Sequence, residues 1–433
     1  MNSRELGQVW TPAYMVERML DDIDYQGEHI LGKSIMEPSA GNGAFLLSVA
    51  RRLHDAAMSV GMSSDAMESM MDACVYGIEY DRDAYRGCMN GLHELMSSYH
   101  LSVPFSHVVC MDALSYHPDK DFDYIVGNPP YRRIVRCSDE ITSEIMSFRF
   151  CTGNTDMYIA FFELVLQWVS RDGIITMITP SAWMINASQR YMRTYMMSMK
   201  SVVKITDYHD IPVFDEGTYT AVVVMRRPSS SWIDDSFTYV KMNTLGSRGF
   251  VIRVPYHDVD DGKSLALPCS PYAADFKDGT AISDEYGVYN GVLTLLDKAF
   301  IINDSGFISR NHDCPYLKPV VKAQRYHGGT IDNRIIFPYR RSDHGSYVPV
   351  DEDELMKYGE VYHHLEGFRH ALSKRDVRNI PFWYCYGRTQ SIQHTDCRKL
   401  VINTFISHDR RASGYIVPAG TVVYSGIYAI EQG

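Results

Sequence analysis

The stretch Asp123-Tyr124-Ile125-Val126-Gly127-Asn128-Pro129-Pro130-Tyr131 decides how this 433-residue sequence is read. Its first five residues read as a short strand, which runs directly into two consecutive prolines. Prolines at that point force an extended backbone and remove two N–H donors, so the neighbouring carbonyls keep a fixed direction and meet no competing donor. The Asn128 side-chain oxygen and the Pro129 carbonyl can then accept both hydrogens of an exocyclic amino group. Such an amine delocalises its lone pair into its ring and is a poor nucleophile. Two directed acceptors favour the pyramidal nitrogen that can attack a methyl sulfonium. Tyr131 adds a face on which a base can stack, worth about 1–3 kcal/mol.

Working outward, residues 1–228 alternate short apolar runs with helical patterns. Strands are predicted at 34–36, 74–78, 107–111, 122–126, 173–179, 202–206 and 219–225. Between them lie amphipathic spacings such as Phe45, Val49 and Leu53, or Ala84, Cys88, Leu92 and Leu95. The alternation predicts an α/β fold with one largely parallel, seven-stranded, Rossmann-like sheet. A helix is expected before the first strand, with Thr11 as its N-cap and Pro12 at its first position. The first strand hands over to Glu37-Pro38-Ser39-Ala40-Gly41-Asn42-Gly43, small residues that let the backbone bend sharply and approach a nucleoside. Leu46 stands where a dinucleotide fingerprint needs Gly or Ala, so no pyrophosphate cradle is indicated. The second and third strands end in Glu79 and Asp112, carboxylates at the sheet edge where open α/β folds bind ligands. Glu79 can accept from ribose hydroxyls and Asp112 from an adenine amino group.

The pattern changes at Arg226-Arg227-Pro228-Ser229-Ser230-Ser231, which places a domain boundary at residue 228. Residues 229–433 show short β-like runs at 237–240, 334–339, 399–405, 415–417 and 421–424, and one acidic-led helix over 351–372. This half reads as a mixed α+β domain. The formal charge of −11 argues against coating nucleic acid by bulk charge. It is unevenly spread, with 19 Lys+Arg against 29 Asp+Glu in residues 1–228 and 23 against 24 in residues 229–433. Residues 310–411 carry 17 Lys+Arg against 12 Asp+Glu, interleaved with aromatics, a candidate nucleic-acid face. Nine cysteines without a C-x-x-C pair fit reduced thiols better than disulfides or a zinc site. With no apolar run long enough for a membrane span and no secretory signal, a soluble cytoplasmic protein is expected.

In their order, Glu37-Pro38-Ser39-Ala40-Gly41-Asn42-Gly43, Glu79, Asp112 and Asn128-Pro129-Pro130-Tyr131 resemble the γ-class amino-methyltransferases of restriction-modification systems, the TaqI-like and Eco57I-like DNA adenine-N6 methyltransferases. Gly7-Gln8-Val9-Trp10-Thr11-Pro12 resembles the family's leading motif, Asp156-Met157-Tyr158 the opening of the helix before strand five, and Thr179-Pro180-Ser181-Ala182-Trp183 the turn after it. The resemblance implies S-adenosylmethionine (AdoMet) as cofactor, held by Thr11, Glu37, Pro38, Ala40, Gly41, Gly43, Glu79 and Asp112, with Thr11 at its methionine part. It implies catalysis by Asn128, Pro129, Pro130 and Tyr131, together with Phe214 of Pro212-Val213-Phe214-Asp215-Glu216-Gly217 against a flipped adenine. A hydrophobic plug at the sheet end is the other reading of Phe214. In the second half, Ile335-Ile336-Phe337-Pro338-Tyr339, residues 381–388, Lys399-Leu400-Val401 and Gly426-Ile427-Tyr428 follow the order of the family's DNA target-recognition domains.

The expected partners are double-stranded DNA and a separate cognate restriction endonuclease, since the motifs start too early to leave room for a fused nuclease. The chain ends soon after Tyr428, so the recognition domain is expected to be short or truncated. No metal is required. The sequence lacks G-x-x-x-x-G-K-[ST] and H-E-x-x-H, and Asp351-Glu352-Asp353-Glu354 fits an acidic helix start better than a calcium loop. The alternative is a methyltransferase of the same fold acting on a protein glutamine amide or an RNA amino group. Cytosine-N4 transfer is a third option. A non-catalytic binder would be expected to lose Asn128 or Tyr131.

Overall fold

Strands that are apolar on both faces need cover on both sides, which a parallel sheet between helical layers provides. The computed structural model describes residues 10–209, 211–214, 219–229, 231–259, 261–266, 268–270, 285–375, 380–389, 391–402 and 414–431. The chain divides into two compact units, Met1–Lys277 and Asp278–Gly433.

The first unit is built on nine strands: β1 (Ile35–Glu37), β2 (Val75–Glu79), β3 (Val108–Cys110), β4 (Phe122–Gly127), β5 (Val169–Pro180), β6 (Val202–His209), β7 (Thr220–Arg226), β8 (Ser236–Thr244) and β9 (Ser247–Pro255). Their order in the sheet is β3-β2-β1-β4-β5-β7-β6-β8-β9. The first five are parallel, and β7 runs antiparallel between β5 and β6. All seven predicted strands are present. Helices α1 (Ala13–Asp22), α2 (Ala44–Ser59), α3 (Ser64–Cys74), α4 (Arg82–Ser98), α5 (Asp139–Met146), α6 (Tyr158–Trp168) and α7 (Arg190–Ser198) accompany the sheet. Successive strand residues feed opposite cores. Met36, Ile125, Ile175 and Met177 pack with α6, whereas Ile35, Val126 and Ile178 pack with α1 and α2. Because α6 is apolar all round, it is buried along nearly its whole length.

The boundary expected at 228 lies inside this unit. Pro228 and Ser229 do end β7, but β8 then returns parallel to β6 and pairs with β9 as a hairpin. Phe237, Tyr239, Val240 and Met242 of β8 are buried. In addition, the Tyr239 hydroxyl donates to Asp207 Oδ2 of β6 at 2.6 Å. The turn marks the end of a strand and not the end of a domain. Thr11 is also placed differently from expectation. Pro12 is the N-cap of α1, with no side-chain cap bond, and the Thr11 hydroxyl is engaged elsewhere.

The second unit holds two four-stranded sheets and one two-stranded sheet. Its core gathers Phe337, Tyr339, Val350, Leu365, Leu372, Tyr384 and Tyr386. Strands occur at Arg334–Ile336, Tyr339–Arg341, Lys399–Ile402, Gly414–Val417 and Val422–Tyr424, close to the expected runs; residues 403–405 of one run lie outside the described residues. The helix expected over 351–372 is three short ones, Glu352–Met356, Gly359–Glu366 and Arg369–Ser373. The first break falls at Tyr358, whose φ of −105° and ψ of 69° depart from helical values while its ring packs edge-on against Tyr316. Among the described residues, no helix is long and apolar enough to cross a membrane.

A chain cut after residue 228 loses β8 and bares the outer edge of β6. Thermal melting by circular dichroism should show one cooperative transition for a fragment ending at 277 and none for a fragment ending at 228. A cooperative 228-residue fragment would restore the earlier boundary.

Candidate active site

The crevice forms where β1 and β4 lie side by side and their following connections leave in opposite directions, the topological switch of an open α/β sheet. On the β1 side, Gly41 and Gly43 have φ of +54° and +85°, which turns the chain sharply into α2. Glu79, at the end of β2, is 6% exposed and ties this turn down: Gly41 N–H donates to its Oε2 at 2.7 Å and Asp81 N–H to its Oε1 at 2.7 Å. Asp112 follows β3 and accepts the Leu114 N–H at 2.9 Å.

Glu37 closes β1 and is 2% exposed. Its carboxyl accepts the Leu46 N–H in the first turn of α2. Burial, and then the neighbouring Glu79, push its pKa well above the usual carboxylate range. Its Oε2 has no hydrogen-bond partner among the described residues. A buried acidic oxygen aligned with no donor is suited to a cationic ligand group.

On the β4 side, the Ser39 hydroxyl donates to the Asn128 carbonyl at 3.0 Å and so joins the two turns. The Asn128 side-chain Nδ2 donates to Thr11 Oγ1, also at 3.0 Å. Thr11, Glu37, Pro38, Ala40, Gly41, Glu79, Asp112, Asn128, Pro129 and Pro130 all line one cavity, open at its mouth. Ten of the thirteen residues singled out from the sequence therefore meet at one place.

Three residues do not line that cavity. At Gly43 an added Cβ would come within 2.7 Å of Cys88 Sγ, so this glycine serves the packing of α2 on α4. Tyr131 sends its hydroxyl to the Ile178 carbonyl at 3.0 Å. Its ring meets that of Phe214 at 6.1 Å and 72°. Phe214 is 6% exposed and packs with Val213 in the apolar core, the plug geometry; Asp215, Glu216 and Gly217 of its motif lie outside the described residues, as do Gly7, Gln8 and Val9 of the leading motif.

The sequence reading missed Trp10, Tyr80, Met111, Arg132 and Phe161, which also line the cavity. Trp10 is 48% exposed, and its ring lies over Gly41, 3.2 Å from where a Cβ would stand. Tyr80 directly follows the strand-end acid Glu79 and is 60% exposed, a signal that could have been used.

The basic surplus of residues 310–411 is partly internal. Lys399 is 2% exposed and donates to the carbonyls of Thr395, Cys397 and Thr421 at 2.9 Å each, and burial pulls its pKa down to about 8. Arg375 reaches the carbonyls of Leu372, Thr294, Trp383 and Cys385. Arg310, Arg341, Lys357 and Arg369 pair with Glu360, Asp396, Glu354 and Glu352. At least six of the seventeen cations in this segment are thus engaged by carbonyls or carboxylates. Among the described residues, no group of three or more His, Cys, Asp or Glu could hold a metal.

The sequence and the fold are similar to those of known proteins. Residues 93–214 match the family described as Eco57I restriction-modification methylase. Type II methyltransferase M.PaeR7I of Pseudomonas aeruginosa is 26% identical over 410 residues, covering 87% of this chain and 70% of the relative. Type II methyltransferase M.BstVI of Geobacillus stearothermophilus is 26% identical over 235 residues, covering 51% and 42%. Type II restriction enzyme and methyltransferase RM.Eco57I of Escherichia coli is 20% identical over 522 residues, covering 96% of this chain and 51% of the relative. The chain thus spans about half the length of two of these three relatives and more than two thirds of the other. Among solved structures, the type IIL restriction-modification enzyme MmeI in complex with DNA superposes with a TM-score of 0.65 at 13% identity, over 97% of this chain and 60% of that one. That likeness shows a shared fold, and the family match together with the type II methyltransferase relatives bears out the resemblance to restriction-modification methyltransferases.

Glu37 supplies a test of the site's electrostatics. Its folded pKa exceeds its unfolded one, so its stabilising contribution is complete below the ordinary carboxylate range and is lost as pH rises through the folded value. Glu37→Gln, which imitates the neutral acid, should raise the Tm of the ligand-free protein by about 2–4 °C per kcal/mol recovered at about pH 7.5, and leave it unchanged near pH 4. An identical difference at both pH values would contradict this account.

Proposed function

We propose that this chain transfers a methyl group from AdoMet to the exocyclic N6 amine of an adenine flipped out of a specific double-stranded DNA sequence. The observation that carries the reading is that the strand-end acids and the Asn128-Pro129-Pro130 turn open onto a single cavity. The residues present fit the cofactor. Glu37 Oε2, buried and without a donor among the described residues, suits a cationic ammonium or sulfonium, and Gly41, without a side chain, lets the backbone approach closely. Thr11, Glu37, Pro38, Ala40, Gly41, Glu79 and Asp112 would hold it. When bound, AdoMet supplies an electrophilic methyl on a positively charged sulfur.

The chain's own residues do the rest. Glu79, whose oxygens take the Gly41 and Asp81 N–H groups, would accept from the ribose hydroxyls. Asn128 Oδ1 and the Pro129 carbonyl accept the two amine hydrogens and hold the nitrogen lone pair out of the ring. As the new N–C bond forms the methyl–sulfur bond breaks, its electron pair staying on sulfur, and the methylated amine gives up one proton to water; the amine is itself the nucleophile, so no side chain has to act as one. Flipping the base costs a few kcal/mol, and stacking on Tyr131 and Phe214 would offset part of that. Their present edge-on contact at 6.1 Å leaves no slot for a base, so Phe214 must leave the core as the adenine enters.

The test is single-molecule sequencing of DNA from a methylation-deficient host expressing the chain. Modified adenines confined to one short motif are expected, and label found in RNA or protein with none in DNA would sink the reading in favour of the amide or RNA substrate. Asn128→Ala should lower transfer at least about 100-fold while AdoMet binding by calorimetry stays within threefold. Near-normal turnover would remove Asn128 from its proposed role.

A further inference from the structure

We infer that Thr11 is a positioning residue for Asn128, setting which face of the amide the substrate amine meets. This rests on the methyltransferase reading above and deepens it. An asparagine amide has two nearly equivalent orientations about its terminal torsion, one presenting an acceptor and the other presenting two donors. Only the acceptor can receive an amine hydrogen. The donor orientation would set N–H against N–H and hold the substrate nitrogen away.

The backbone cannot make this choice. The Ser39 hydroxyl fixes the Asn128 carbonyl at 3.0 Å, and the two following prolines fix the chain direction, but neither touches the side-chain torsion. The Thr11 hydroxyl does, because its Oγ1 accepts from Asn128 Nδ2 at 3.0 Å across a sequence separation of 117 residues. Both residues line the same cavity. With Nδ2 turned toward Thr11, Oδ1 is the amide atom on the opposite side, the one that can accept from the amine.

A hydroxyl can donate as well as accept, so it enforces this orientation only when its own proton has another partner. The carboxylate of the methionine part of a bound cofactor would be such a partner. The orientation of Asn128 is then conditional on cofactor: one hydroxyl reports occupancy of the AdoMet side to the amide on the substrate side. The position is well placed for this, since Thr11 sits just before helix α1 and its side chain is not spent on capping that helix.

The test compares Thr11→Val, which keeps the shape and removes the hydroxyl, with Thr11→Ser, which keeps the hydroxyl. AdoMet Kd is measured by calorimetry, Tm by scanning calorimetry, and the single-turnover methylation rate on the cognate duplex at AdoMet concentrations shown to saturate each variant. Thr11→Val should lower the saturated rate on the order of 10- to 100-fold with Tm within a few degrees of wild type, and Thr11→Ser should return it to within about threefold. A Thr11→Val enzyme with a weakened Kd but a wild-type saturated rate would make Thr11 a cofactor contact only and overturn the proposal. So would a fall in rate that Thr11→Ser fails to rescue. Wild-type protein that methylates no DNA would fail the underlying reading, a separate result seen before any variant is made.

Discussion

A single hydroxyl-to-carbonyl bond, from Ser39 to the backbone of Asn128, spans the point on which the first unit turns. Neighbouring parallel strands whose connections diverge leave an open seam at their carboxyl ends, and a seam binds nothing unless its two lips are held in register. Here the lips come from positions 89 residues apart. Glu79 braces the β1 lip by gathering the Gly41 and Asp81 amides, and Thr11 adds a tie through the Asn128 side chain. Ser39, Glu79, Thr11 and Asn128 all line the cavity. The wall that a ligand would touch is the same set of bonds that keeps the seam's width.

The electrostatics follow from that economy. Glu37 and Glu79 are both buried, Glu79 disfavours the charge on Glu37, and backbone amides compensate both in part. A folded protein accepts such a cost where a ligand relieves it. The negative charge counted along residues 1–228 therefore includes a few acids that matter greatly, among many that face solvent. The same distinction separates count from placement in the second unit, where several cations that made the composition look basic are spoken for by carbonyls and carboxylates.

What the sequence made legible was local. Seven strands, the Gly turn, two strand-end acids and the proline-locked turn each announce themselves within ten residues, because strand period, glycine and proline act on the backbone where they stand. What it hid was settled by contacts distant in sequence. The Pro-Ser stretch after β7 has the composition of a linker, yet β8 finds an open strand edge beside β6 and extends the sheet. Gly43 belongs to the right motif but answers to Cys88 on another helix. Thr11 has the right residue type for a helix cap and is used instead by Asn128. The acidic start at 351 promises one helix, and Tyr358, drawn into a core contact with Tyr316, breaks it. Trp10 stands in the leading motif with no role read for it; its approach to Gly41 shows that it covers the turn.

The carbonyl-bound cations of the second unit carry one more consequence. Ion pairs between exposed side chains weaken as ionic strength rises, whereas a buried ammonium or guanidinium held by peptide dipoles is shielded from mobile ions. Lys399 and Arg375 hold separate loops together in this way without any carboxylate. A unit stitched with such bonds loses little of this part of its stability as ionic strength rises, unlike one held by exposed ion pairs.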